Sequence, residues 1–331
     1  HPDGLRDPTA YFNQLQQSQL GRDVDVSLSG NGLSSQPLYI VVEKILSKGE
    51  PLPEDWAIDG TTGYDFLAQA NSLFVRAMSV RAIDKIYSDF IGVKSDYREL
   101  VNSRKKMIML VSLASEINSL SHQLDRISER NRHYRDFTLN GLTFAIREVI
   151  ACLSVYRTYA DAHAGTVSDT DRKYIESAVE EAKRRNPRTA RAIFDFIKDT
   201  LQLNNLGRFR EPDRQHVIDF VMHLQQVSGP VMAKAVEDTS FYIYNRLVSL
   251  NEVGGEPEQF GLSLENFHRQ NSARRKNWPH SMLASSTHDT KRSEDTRARI
   301  DVLSEIPADW RAALVRWTKL NSAKKTPAEA G

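Results

Sequence analysis

Acidic and histidine side chains that could take part in bond cleavage follow two apolar runs of the sequence. Glu43 comes directly after the run Pro37–Val42, and His288 and Asp289 follow the run Met282–Ser286. A carboxylate at the carboxyl end of a buried parallel strand lies on the face where α/β folds assemble their sites. One such carboxyl group could act as a general acid, and a second could stabilise positive charge on a sugar ring. The pair is what glycosidic chemistry requires, although acidic residues are common.

Structural roles account equally well for these residues. Glu43 could begin the turn or helix after its strand and pair with Lys44. Asp289 could cap the next helix, since aspartate is a favoured N-cap residue. The residue types therefore leave a catalytic and a structural interpretation open for both carboxylates.

A third charged cluster follows the run Gly229–Ala233, which we interpret as a short strand. Lys234, Glu237 and Asp238 come next in the sequence and could form another strand-end cluster. Acidic residues also favour the first turn of a helix because of the helix dipole. Chemistry alone does not decide between these two interpretations.

The elements that would position these residues fall into three predicted parts. The unbroken β-branched run Pro37–Val42 predicts a strand buried on both faces. Polar, glycine-rich stretches predict loops over residues 27–32 and 50–63. From Tyr64 to about Val227 proline and glycine are scarce and the apolar spacing is helical.

We therefore expect barrel-like α/β segments over residues 1–63 and 228–331, with a helical insertion over residues 64–227. Within the insertion, one apolar stripe is predicted to include Met107, Leu110, Val111, Ala114, Ile117 and Leu120. Thr62 and Asp65 have the spacing of a capping box at the start of the insertion. Trp56 and Tyr64 flank the predicted loop and are the aromatic residues expected to stack on sugars.

Composition excludes several classes of protein. The 331 residues include 44 Lys and Arg against 43 Asp and Glu, so balanced charge gives no field that attracts nucleic acid. No apolar run approaches the roughly 20 residues that span a bilayer. A single cysteine excludes a disulfide framework, and no metal-binding motif is evident. We expect a cytoplasmic protein, and a metal site is possible but unsupported by the histidine spacing.

Taken together, four segments resemble the maltooligosyl trehalose synthases, a branch of the α-amylase family. They are HPDGLRDP at residues 1–8, YIVVEKILSKGEPLPEDWAIDGTTGYDFL at 39–67, GPVMAKAVEDTSFYIYNRLVSLNEVGGEP at 229–257 and SSTHDTKRSEDTRARI at 285–300. The resemblance extends over nearly the whole chain.

This resemblance implies a partial (β/α)8 TIM barrel with a large helical insertion. The chain would supply the fifth, sixth and seventh strands, which end at Glu43, near Lys234 and at Asp289. In the family's pattern the nucleophilic aspartate comes immediately before the histidine that matches His1. We therefore expect a fragment that lacks this nucleophile and is inactive by itself.

The resemblance also implies roles for individual residues. Glu43 corresponds to the general acid/base and Asp289 to the acid that stabilises the transition state, while His1 and His288 contact sugar hydroxyls. The other residues in matching motifs, expected near bound substrate, are Lys44, Tyr64, Asp65, Lys234, Glu237, Asp238, Lys291 and Arg292.

The implied activity is an isomerase reaction on maltooligosaccharides that requires neither cofactor nor metal. By retaining transglycosylation, the reducing-end α-1,4 linkage would become an α,α-1,1 trehalose linkage, and a trehalose-releasing hydrolase would be the pathway partner. An α-glucan hydrolase or transferase of the same superfamily would use the same carboxylates, so it stays an alternative. A non-catalytic helical interaction module is the alternative from another class.

Overall fold

The computed structural model describes residues 1–20, 36–47, 49–204 and 206–325, and the loop predicted at 27–32 lies outside them. The α-helices are α1 Pro8–Leu20, α2 Tyr64–Leu73, α3 Val80–Ile91, α4 Tyr97–Val111, α5 Ala114–Glu129, α6 Leu139–Cys152, α7 Asp169–Arg185, α8 Arg191–Leu201, α9 Asp213–Ala235, α10 Phe241–Ile243, α11 Leu264–Asn277, α12 Glu294–Asp301 and α13 Pro307–Leu320. A π-helical turn, Val236–Ser240, links α9 to α10. Short 3₁₀ turns occur at Pro2–Gly4, Ala77–Ser79, Leu206–Arg208, Val248–Leu250, Val302–Ser304 and Ser322–Lys324.

Helices α5 to α9, here called the helical region, surround the largest apolar core. Helix α5 packs against α6 and α9, and α7 packs against α6 and α8. Leu124, Ile146 and Phe194 are fully buried in this core. Burial of each such side chain contributes roughly 2–3 kcal/mol, and this contribution stabilises helices that would be marginal alone.

The predicted apolar stripe from Met107 to Leu120 is wrong, because two helices meet within it. Helix α4 ends at Val111 and α5 begins at Ala114, so the helical phase changes between them. The buried face of α4 carries Ile108 and Met109, so Leu110 and Val111 are exposed, whereas Ile117 and Leu120 on α5 are buried.

The strand predicted at Gly229–Ala233 is also wrong, since these residues belong to α9. Pro230 lies inside this helix, and the buried residues Val221, Leu224 and Val231 hold the helix against its neighbours despite the lost backbone donor. Gly229 lies close to the start of the chain, since a Cβ added to it would be 3.5 Å from the Asp3 Cβ. Because α9 continues to Ala235, it crosses the domain boundary expected at residues 227 and 228.

A two-stranded parallel sheet carries the strand-end residues. Strand β1, Val41–Val42, pairs with β2, Gly60–Thr61, and Val41 lies opposite Gly60. The predicted strand Pro37–Val42 is therefore reduced to its last two residues. Strand β2 forms within the segment that was predicted to be a loop.

The second predicted strand, Met282–Ser286, has irregular structure but runs beside β2. The Met282 amide donates to the Thr61 carbonyl at 3.0 Å. Glycine permits this close approach, since Gly63 has φ 94° and an added Cβ would lie 2.6 Å from the Ala284 nitrogen. A side chain here would force the two segments apart.

The start of α2 differs from the predicted capping box. The helix begins at Tyr64 with Gly63 as its N-cap, and no side chain caps it. Thr61, not Thr62, donates a hydrogen bond to Asp65 at 2.8 Å.

None of the described helices is long and apolar enough to cross a membrane.

Candidate functional site

Glu43 lies at the carboxyl end of β1, where three other predicted site residues meet it. The His1 Nε2 atom is 3.0 Å from one carboxylate oxygen, and the His288 Nε2 atom is 3.7 Å from the other. The Tyr64 hydroxyl donates to this second oxygen at 3.0 Å. Residues that are distant in sequence therefore converge on one carboxylate.

The two sides of this cluster differ in exposure. The side chains of His1 and His288 are 71% and 76% exposed, whereas that of Glu43 is only 20% exposed. Tyr64 closes the cluster from the protein interior, and burial, reinforced by Glu43, raises its pKa to about 12 although Thr287 opposes the rise. Tyr64 is thus a neutral donor at physiological pH, and the open side could admit a polar ligand.

Asp289 belongs to a second acidic group beside this cluster. The Lys291 Nζ atom is 3.8 Å from Asp289 Oδ1 and 3.9 Å from Asp238 Oδ1. Lys234 lies 4.0 Å from Asp238 on the exposed side. The Lys291 amide is fixed by Glu252, which accepts it at 2.6 Å.

Glu237 lies on the π-helical turn next to this acidic group. Burial raises its pKa, and the nearby charge of Asp289 adds to the rise although the Tyr156 hydrogen bond opposes it. The Tyr156 hydroxyl donates directly to Glu237. π-Helical turns of this kind occur frequently at functional sites.

Three predicted substrate-binding residues have their side-chain partners elsewhere in the protein. The Lys44 ammonium is completely buried, at 3.0 Å from Glu50 and 3.5 Å from Asp3. Asp65 pairs with Arg274 at 2.7 Å. A third residue, Arg292, donates to the Val248 carbonyl at 3.3 Å.

The aromatic residues expected to stack on sugars are buried instead. Trp56 is 3% exposed and contacts Phe12 and Tyr159 through its ring. Tyr64 is 1% exposed and offers only its hydroxyl to the site. The interpretation of Trp56 as a surface stacking residue was therefore wrong, because the loop folds it into a small core with Val42 and Leu52.

The sequence analysis missed Asp3 and Tyr156, which contact predicted site residues. Asp3 lies two residues after His1, so its position in HPDGLRDP was an available signal. Tyr156 follows the end of α6 in a segment whose apolar spacing suggested continuous helix. Among the described residues, no group of three His, Cys, Asp or Glu side chains is arranged to hold a metal ion.

A cleft of about 450 Å³ is lined by residues that include Glu50, Asp65, Arg274 and Trp278. Its lining does not include His1, Glu43, Tyr64 or His288. Asp65 therefore faces this cleft, whereas Glu43 lies between the two histidines.

Solved structures that share this fold define the class of protein. The structure is similar to maltooligosyltrehalose synthase from Arthrobacter ramosus, with 34% identity and a TM-score of 0.75, over 94% of this chain and 35% of that one. It is also similar to the DSM5389 glycosyltrehalose synthase, with 34% identity and a TM-score of 0.67, over 97% of this chain and 34% of that one.

Sequence comparison leads to the same family. Two relatives from Mycobacterium tuberculosis, for which the name maltooligosyl trehalose synthase is itself an inference, are each 33% identical over 310 residues, or 94% of this chain. No family model matches the chain. The chain belongs to the maltooligosyl trehalose synthase family and spans about a third of the length of the curated relatives it matches.

Proposed function

We propose that the whole protein converts the reducing-end α-1,4 linkage of maltooligosaccharides into an α,α-1,1 trehalose linkage by intramolecular transglycosylation. The observation that carries this proposal is Glu43 at the end of β1, held by His1 and Tyr64 in a chain 33–34% identical to trehalose synthases. The reaction class is an isomerase, more narrowly an intramolecular glucosyl transfer.

In the proposed first step Glu43 protonates the glycosidic oxygen as it leaves. A nucleophilic aspartate, expected next to His1 and outside this chain, forms a covalent glycosyl intermediate. Retention requires the two carboxyl groups to be about 5 Å apart. The exposed His1 and His288 side chains are suited to donate hydrogen bonds to sugar hydroxyls.

In the second step Glu43, now a base, accepts a proton from the anomeric hydroxyl of the released glucose. That hydroxyl attacks the intermediate, and a bond to its oxygen replaces the bond to the nucleophile. Retaining the glucose gives it a high effective concentration against water. Asp289 would stabilise the positive charge that develops on the sugar ring.

We further propose that β1, β2 and the segment 281–284 are successive strands of a (β/α)8 barrel. Their support is the parallel pairing of Val41 with Gly60 and the contact of Met282 with Thr61. In this arrangement Glu43 and Asp289 both follow barrel strands, where barrel enzymes carry their chemistry. Lys234, Glu237 and Asp238 would line the same face from the π-helical turn and the end of α9.

To test this proposal, the chain is expressed together with the residues encoded by its flanking sequence. The protein is then supplied with maltohexaose, and the concentration of reducing ends is followed over time. A fall in reducing ends with a new non-reducing product is the expected result. A rise would mean that water is the acceptor, and the protein would then be an α-glucan hydrolase. No change would favour a non-catalytic module. Because the proposed product ends in a trehalose unit, we expect the next enzyme to be a hydrolase that releases trehalose.

A further inference from the structure

The segment between α6 and α7 crosses beneath the Glu43 cluster as buried, non-helical chain. Residues 153–160 leave α6 at Cys152 and carry Tyr156, Arg157 and Tyr159 toward the first residues of the protein. Arg157 is 1% exposed. Burying a guanidinium lowers its pKa, so retaining it there requires several good acceptors.

Arg157 finds these acceptors in the backbone next to His1. It donates to the Asp3 carbonyl at 2.9 Å and to the Leu5 carbonyl at 2.6 Å. Its guanidinium also lies 4.8 Å from the centre of the Tyr159 ring. These two hydrogen bonds fix the turn Pro2–Gly4 against the segment 153–160.

The Asp3 side chain connects the same segment to the residue after Glu43. The Tyr159 hydroxyl donates to one Asp3 carboxylate oxygen, and the Lys44 ammonium lies 3.5 Å from the other. Lys44 also lies 5.4 Å and 5.6 Å from the ring centres of Tyr156 and Tyr159. Asp3 thus joins the backbone that carries His1 to the backbone that carries Glu43.

We infer that Tyr159 and Arg157, in the segment between α6 and α7, are positioning residues for the His1–Glu43 pair, acting through Asp3 and Lys44. This inference rests on the proposed function and assigns a positioning role to the segment 153–160. A general acid must approach the leaving oxygen within hydrogen-bond distance, and displacement by about 1 Å can cost a hundredfold in rate.

The test substitutes Tyr159→Phe in the chain with its flanking coding sequence and measures kcat, KM and the melting temperature. The change removes one hydroxyl and keeps the ring. Because the lost contact acts on catalytic geometry, we expect kcat to fall roughly ten- to a hundredfold with a smaller change in KM. Tyr174→Phe, on the following helix α7, is the matched control and should keep wild-type kcat.

Coupling to Asp3 separates positioning from general packing. If Tyr159 acts through Asp3, the loss of kcat caused by Tyr159→Phe should be much smaller when Asp3 is already alanine. Additive losses would overturn the inference. Arg157→Lys offers an independent variant, since a lysine keeps the charge but is shorter and lacks the second donor with which Arg157 holds the Thr158 carbonyl. Wild-type kcat in both Tyr159→Phe and Arg157→Lys would also overturn it.

Failure of the proposed function is recognised separately in Glu43→Gln. If that variant keeps full turnover, the proposed role of Glu43 fails, and the positioning inference fails with it. If Glu43→Gln is inactive while Tyr159→Phe behaves like Tyr174→Phe, only the positioning inference fails.

Discussion

The helical region buries mainly apolar side chains, whereas the strand-end region buries two of the most completely enclosed charged side chains. In the helical region Leu124 and Phe194 are completely buried within an apolar core. In the strand-end region, which consists of residues 1–5, 41–44, 60–64 and 281–291 with the segment 153–160 beneath them, Lys44 and Arg157 are each only 1% exposed.

The two regions are held together by different interactions. Apolar burial is non-directional, so the helical region gains stability from area and dense packing. Buried charges need specific partners at specific angles, and their net contribution to stability is small or negative. The strand-end region therefore defines positions more than it stabilises the fold, which is what the proposed catalytic role requires.

The largest expected effect is on turnover rather than on stability. Glu43→Gln keeps the shape of the side chain but removes its acidic proton. We expect kcat on maltohexaose to fall about a thousandfold or more, with an unchanged melting temperature. Parallel steady-state kinetics and thermal unfolding measure both. A large loss of stability would mean that Glu43 belongs to the structural framework.

The next effect lies in the helical region and concerns stability alone. Leu124→Ala removes a fully buried side chain and should lower the free energy of unfolding by about 3 kcal/mol. Denaturant titration of the variant gives this value. Leu110→Ala, at an exposed position on α4, is the control and should change stability by less than about 0.5 kcal/mol. Equal effects at both positions would refute the proposed core.

A smaller effect is expected where the strand-end region packs closely. Gly63→Ala would place a Cβ 2.6 Å from the Ala284 nitrogen at a φ of 94°. We expect the free energy of unfolding to fall by about 2–3 kcal/mol, because the backbone strain and the close contact both destabilise the variant. Gly92 has φ 76°, and an added Cβ would meet nothing within 4 Å. Gly92→Ala therefore measures the cost of the left-handed backbone alone and should lose less stability than Gly63→Ala. If the two variants lose equal stability, the close contact with Ala284 carries no cost.

The smallest expected effect depends on pH. Asp301 is 1% exposed, and burial raises its pKa to about 6 although Ser249 and Arg297 oppose the rise. A carboxyl group with a raised pKa in the folded state contributes stability when protonated and loses that contribution as the pH rises through 6. Asp301→Asn should therefore stabilise the protein by about 1–2 kcal/mol near pH 7.5 and have little effect near pH 4.

Unfolding measured at the two pH values tests this dependence. Asp295→Asn, at an exposed position on the same helix, serves as the control. A stabilisation of equal size at both pH values would rule out titration of Asp301 as its cause.

Sequence reasoning predicted some of the side chains that meet at Glu43 better than the elements that carry them. Glu43 and His288 were identified by the apolar runs before them, and the structure brings both side chains together. Strand β2 was missed because Gly60 and Thr61 have the composition of a turn, and only their pairing with β1 makes them a strand. The partners of Lys44 could not be predicted, since Asp3 is 41 residues away in the sequence.

The most direct measurement compares two substrates in Glu43→Gln, within the chain and its flanking coding sequence. Maltohexaose needs protonation of its leaving oxygen, whereas an α-maltooligosyl fluoride releases fluoride without a general acid. If Glu43 is the general acid, the variant should lose maltohexaose turnover by about a thousandfold yet release the first equivalent of fluoride at close to the wild-type rate, because only the later step needs Glu43 as a base. Equal losses on both substrates would contradict the assignment of Glu43.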